Sequence, residues 1–100
     1  MKLLTKANLA ALPALYANEG IPAEEVAVPV KFFTPDSNWT WYATEFDPAE
    51  GRFYGLVCGH ENEFGYFTLA ELESARGPLG LKIERDLHWS GTLADAKARG

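Results

Sequence analysis

Trp39-Thr40-Trp41-Tyr42-Ala43-Thr44-Glu45-Phe46, Asp47-Pro48-Ala49-Glu50-Gly51 and Arg52-Phe53-Tyr54-Gly55-Leu56-Val57-Cys58 follow one another without a gap, and they decide the fold. The outer two runs are rich in aromatic and β-branched residues. The middle run holds the Asp, Pro and Gly that turn a chain. Two strands joined by so short a connection lie side by side and antiparallel. Strict alternation puts Trp39 and Trp41 on one face, and Tyr42 and Phe46 on the other. In the next strand it puts Phe53 and Val57 on one face, and Tyr54, Leu56 and Cys58 on the other.

Further strands are expected on both sides. Upstream, Val26, Val28, Val30 and Phe32 alternate over 26–33. Pro29 cannot donate to a ladder, which suggests an edge strand or a bulge. A loop over 34–38 joins this strand to the hairpin. Downstream, 59–63 connects to a strand over 64–67. Short connections throughout make these four strands a meander, in which alternate connections lie at the same end. The loops 34–38 and 59–63 are therefore expected to be neighbours, with the turn 47–51 at the far end.

Thr68 and Glu71 form a capping box that opens a helix, and Arg76-Gly77-Pro78 stops it. A fifth strand is expected over 81–89, with Leu81, Ile83, Leu87 and Trp89 on one face and Lys82, Glu84, Asp86 and His88 on the other. Arg85 falls on the apolar face, so it needs a carboxylate partner or must reach the rim. At the start of the chain, Thr5 caps a helix with Leu9, Leu12, Leu15 and Tyr16 on one stripe. Pro13 breaks or kinks it, and Gly20 and Pro22 end it. A short helix over 93–98 follows the last strand. The expected fold class is α+β: one domain over 1–100, an antiparallel meander sheet of about five strands, an N-terminal helix, a helix before the last strand and a short C-terminal helix.

Composition narrows the function classes. Of the 100 residues, 47% are hydrophobic and 23% charged, which suits a folded domain with one core. Net charge is −5. Asp36, Glu45, Asp47, Glu50, Glu61 and Glu63 crowd the middle around a lone Arg52. Arg76, Lys82, Arg85, Lys97 and Arg99 crowd the C-terminal quarter. The overall acidity disfavours nucleic acid as a partner. Cys58 is the only cysteine, which excludes an intramolecular disulfide and points to the cytoplasm. The opening Met-Lys-Leu-Leu-Thr-Lys turns polar too early for a signal peptide, and no apolar run approaches a membrane span.

Four strings carry a resemblance: Val-Lys-Phe-Phe-Thr-Pro-Asp-Ser-Asn-Trp-Thr-Trp-Tyr (30–42), Gly-Leu-Val-Cys-Gly-His-Glu (55–61), Gly-Tyr-Phe-Thr-Leu-Ala-Glu-Leu (65–72) and Gly-Pro-Leu-Gly-Leu-Lys-Ile-Glu-Arg-Asp-Leu (77–87). Over nearly its whole length the chain resembles an uncharacterised bacterial family, the domain of unknown function numbered 2958. The resemblance brings no reaction, cofactor or catalytic residue with it. It implies a setting on plasmids and other mobile elements, hence maintenance or counter-defence roles.

Three readings of the chemistry follow. The leading one is a non-enzymatic module that binds a protein partner. Two short helical regions cover one sheet face, leaving aromatic surface on the other. Trp39 and Trp41 would anchor the partner, and Glu45, Asp47 and Glu50 would form an acidic rim. The second is a small enzyme or metal-dependent catalyst at the shared loop end, using Asp36, Asn38, His60, Glu61 and Glu63. Cys58 and His60, two apart on a strand, would point the same way. Such a cluster lacks the second ligand pair of a metal site, so no metal and no cofactor is expected. The third is a nucleic-acid binder through a continuous patch of Lys82, Arg85, Lys97 and Arg99.

Overall fold

The structure, a computed structural model, describes residues 2–99. Its sheet has five antiparallel strands: β1 (Val30–Phe33), β2 (Thr40–Asp47), β3 (Arg52–Cys58), β4 (Asn62–Thr68) and β5 (Glu84–Arg85). The order across it is β4-β3-β2-β1-β5, so the meander stands and the last strand returns beside the first. The helices are α1 (Lys6–Ala11), α2 (Leu69–Ser74) and α3 (Leu93–Arg99), with a 3-10 turn at Ala23–Glu25. Among the described residues no helix is long and apolar enough to cross a membrane.

The β2–β3 turn closes as its composition requires. Asp47 Oδ1 accepts the Ala49 N–H, and Gly51 takes the left-handed conformation at φ 63°. Within β2, however, the alternation breaks. Ala43 faces Gly55 and Glu45 faces Tyr54, so Thr44 is an extra residue, a β-bulge. Its hydroxyl donates to the Tyr54 carbonyl. One extra residue inverts everything after it. Phe46 therefore joins the face of Trp41 and Ala43, whereas unbroken alternation pairs it with Tyr42. Glu45 moves to the face of Tyr42 and Tyr54.

Both faces of the sheet carry a core. On the first, Val30, Phe32, Ala43, Phe46, Phe53 and Phe67 are covered by Leu3, Leu12, Leu72 and Ile83. Phe53 is its centre, with ring centroids 4.5 Å from Phe46, 5.1 Å from Phe67 and 5.5 Å from Phe32. Burying such a ring contributes roughly 1.5–3 kcal/mol. On the second face, Tyr42, Leu56 and Cys58 lie under Val28 and Ala96, with Trp89 and Leu93 alongside. The expectation that the helices cover a single face is thus corrected, because α3 lies across the second.

Pairing explains the shortened strands. Only 30–33 of the expected 26–33 run joins the sheet. The residues before Pro29 pair with the start of α3 instead: Val28 N–H donates to Gly91 O, Leu93 N–H to Val26 O, and Ala27 bridges Thr92. Trp89 Nε1 donates to Val28 O and locks this clasp. The expected strand over 81–89 shrinks to Glu84–Arg85. Ile83 reaches the first core and Trp89 the second, although both sit on the same parity, so no straight strand can hold them. The chain turns at Asp86, whose Oδ1 accepts the His88 N–H, and Leu81 and Leu87 stay exposed.

Both caps expected from the sequence form. Thr5 with Asn8 and Thr68 with Glu71 make reciprocal side-chain to backbone bonds, each cap adding about 1 kcal/mol. α1 stops at Ala11, ahead of Pro13, and α2 stops at Ser74 rather than at Arg76-Gly77.

Gly55 sits where β2 and β3 approach closely. A Cβ there would strike the Tyr42 carbonyl oxygen, which is backbone and cannot swing aside. Gly55→Ala is expected to destabilise by about 2 kcal/mol or more. Gly65→Ala on β4, with open space around its Cβ, is expected to be neutral or stabilising by up to about 1 kcal/mol. Urea unfolding of the two variants checks the contrast.

Lys31 Nζ stands 3.3 Å from Asp86 Oδ2 and over the rings of Tyr42 and Trp89. Partial burial acts to raise the Asp86 carboxyl. The His88 N–H and the Lys31 ammonium outweigh it and hold the carboxyl below its ordinary value. A carboxyl lowered in the folded state stabilises above its unfolded pKa, near about 3.9, and loses that contribution as pH falls through the folded value. Asp86→Asn should flatten this acid limb in unfolding midpoints measured between neutral and acidic pH, with little change in the pH dependence above it.

Candidate functional site

β1 pairs with β2 only as far as Ala43, so the rest of β2 has no strand on that side. Residues 13–18 fill the gap. Phe46 N–H donates to Pro13 O, and Asn18 Nδ2 donates to Thr44 O. The Glu45 carboxylate then receives two backbone amides of this arm, Tyr16 N–H at 2.7 Å and Asn18 N–H at 3.1 Å. Tyr16 adopts the left-handed conformation at φ 72° to make the bond. Pro13 ends the helix where this arm begins, which is why Tyr16 belongs to the arm and not to a helical stripe.

The arm and the β3–β4 hairpin enclose a cleft of about 380 Å³. Thr44, Glu45 and Val26 are its buried floor; Tyr16, Tyr54, Phe64 and Tyr66 supply its aromatic walls. Tyr54 faces Tyr66 across the ladder at 5.2 Å, edge to face, and stacks on Phe64 at 6.2 Å. Tyr66 Oη donates to Tyr16 Oη at 3.4 Å, joining arm to hairpin, and this neighbour pushes the Tyr66 phenol up. The walls are open to solvent: Tyr16 is 62%, Tyr66 50% and Phe64 43% exposed. Arg52 stands over the Tyr66 ring at 4.9 Å and Lys97 over Phe64 at 5.7 Å.

The residues singled out from the sequence fall in different places. The loops 34–38 and 59–63 do share one end of the sheet, where the Trp39 ring meets the His60 ring edge-on at 5.6 Å. Their polar groups do not converge there. Asp36 Oδ2 accepts the Leu79 N–H at 2.7 Å and, more weakly, that of Leu81, tying down the loop after α2. Asn38, His60, Glu61 and Glu63 are exposed. Among the described residues no group of three or more His, Cys, Asp or Glu side chains is placed to hold a metal ion. Cys58 and His60 do not point the same way. β3 ends at Cys58, which is buried in the second core, and the turn that follows carries His60 to Trp39.

Trp39 and Trp41 stack at 6.1 Å, both half-buried, beside a hollow of about 340 Å³ lined by Thr34, Ser37 and the loop after α2. The acids expected around them are elsewhere. Asp47 and Glu50 lie at the opposite end of β2, and Glu45 is 4% exposed with both oxygens engaged. Glu45 is thus corrected from a rim charge to a buried anchor. The basic patch is also divided. Lys82 lies beside Ile83 on the first face, Arg85 Nη1 donates to Lys2 O, and Lys97 and Arg99 stand over Phe64 and Trp89 on the second.

Parity alone could have found part of the cleft. Phe64 and Tyr66 alternate with Gly65, and the short 59–61 turn sets Tyr66 opposite Tyr54. Tyr16 had no such signal, since it comes from a non-repetitive arm.

Fold and site define a small α+β open-sheet protein with an aromatic cleft over a buried carboxylate. The chain belongs to the family described as Protein of unknown function (DUF2958), which matches residues 3–95. No curated protein and no solved structure matches it.

Burial pushes the Cys58 thiol up and outweighs Lys31, which acts to lower it. The thiolate is the reactive form, so Cys58 is expected to react with a thiol reagent far more slowly in the folded chain than in denaturant at the same pH. Equal rates would mean the second core opens readily.

Proposed function

We propose that this chain is a non-catalytic module that docks a protein partner through the aromatic cleft formed by Tyr16, Tyr54, Phe64 and Tyr66. One observation carries the proposal: large rings, three of them well exposed, converge on one open hollow. Exposed aromatic clusters of this kind mark interaction surfaces, and tyrosines bring contact area at low entropic cost. The polar residues that favoured catalysis do not converge: Asp36 closes a loop, Cys58 lies in a core, and Asn38, His60, Glu61 and Glu63 are exposed, which supports binding over chemistry. A reducing cytoplasm suits the single free cysteine and is part of the proposal. Counter-defence on a mobile element, implied by the family resemblance alone, is its narrower form.

A second reading rests on the stacked, half-exposed Trp39–Trp41 pair and its adjoining hollow. Peptides selected on the wild-type chain from a display library distinguish the two. Tyr66→Ala and Phe64→Ala remove half-exposed rings with their contacts to Tyr54 and should cost about 1–2 kcal/mol while the fold survives. Each is expected to weaken the selected peptides by roughly 30-fold, about 2 kcal/mol. Binding that survives both variants and falls with Trp39→Ala would move the docking surface to the tryptophan end.

A further inference from the structure

The floor of the cleft carries a carboxylate that no described cationic side chain approaches within 4 Å. Glu45 is almost wholly buried and accepts two amides, yet among the described residues the ion pair within 4 Å is that of Lys31 and Asp86. Backbone amides solvate a carboxylate without cancelling its charge, and an uncompensated buried anion favours an approaching cation. Glu19, at the exposed rim, adds a second negative group.

The walls select the same sign. The face of a tyrosine or phenylalanine ring is negative and attracts ammonium and guanidinium groups, most strongly where water is excluded. Tyr66 and Phe64 already show this within the chain, one under Arg52 and the other under Lys97. Neither cation lines the cleft, and among the described residues no cation stands over the other two wall rings, Tyr16 and Tyr54. At about 380 Å³ it lies near the lower end of the roughly 300–1,000 Å³ of ligand pockets, a size suited to one long side chain.

We infer that the cleft is the recognition pocket for a basic side chain, lysine or arginine, presented by the partner protein; this rests on the docking role proposed above. The aliphatic stem packs between Tyr54, Tyr66 and Ile21, and the charged head lies toward Glu45. An acidic molecule and a basic partner also attract at long range, which speeds encounter.

The test titrates N-acetyl-arginine amide, and separately its neutral isostere N-acetyl-citrulline amide, into the isotope-labelled full chain followed by NMR. Binding in the millimolar range is expected for a single side chain. The arginine compound should shift the amides of Tyr16, Glu45, Tyr54 and Tyr66 at least about fivefold more tightly than citrulline. Tyr66→Ala should weaken that preference while amides away from the cleft keep their positions. Equal affinity for the two compounds at the cleft overturns the charge inference and leaves the docking reading intact. Arginine shifts confined to the exposed Glu61 and Glu63, or no shifts from either compound, also overturn it. The docking reading fails separately, if the selected peptides bind Tyr66→Ala as well as wild type.

Discussion

The Glu45 carboxylate, holding the amides of Tyr16 and Asn18, is the interaction on which the rest of the molecule depends. β1 is four residues long and leaves half of β2 without a neighbour. Unpaired backbone groups at a sheet's centre are costly, and the arm over 13–18 satisfies them. The arm has no regular structure to hold it, so a side chain must. A carboxylate taking two N–H groups supplies charge-assisted bonds, each contributing roughly 1.5–3 kcal/mol.

The Thr44 bulge is what delivers Glu45 to that position. Were Thr44 paired in regular register instead, Glu45 would lie opposite Phe53 on the face of the first core, and Phe46 would turn away from that core. With it, one strand serves two faces: Phe46 completes the aromatic stack around Phe53, while Glu45 secures the arm that walls the cleft. Core and candidate site are therefore set by the same one-residue irregularity, a common place for bulges to occur.

Much of the architecture was legible. The hairpin, the meander, the capping box at Thr68 and the shared end of two loops all follow from turn residues, short connections and period-two patterning. What was hidden has physical causes. A bulge changes parity without changing composition, and Tyr-Ala-Thr-Glu reads as unbroken strand. The alternation over 81–89 is real in the sequence, but Ile83 and Trp89 serve opposite faces, so tertiary packing overrides it. The residues proposed as a polar site were placed at the correct end, yet Asp36 answers to the backbone of Leu79 and Leu81 while Asn38, His60, Glu61 and Glu63 stand apart in solvent. The aromatic cleft depends on the arm, whose path is decided by a carboxylate some 29 residues away.

The clasp between Val26–Val28 and the start of α3 has a kinetic side. It joins positions more than 60 residues apart, whereas the hairpins of β2, β3 and β4 close over a few residues. Loop closure over a long span must be met before its contacts reward it, so the three-strand meander can nucleate first and the clasp seals last. On opening, the sequence reverses. Amides of Val28 and Leu93 then exchange with solvent before those of β3, and the C-terminal helix peels from a sheet that is still standing.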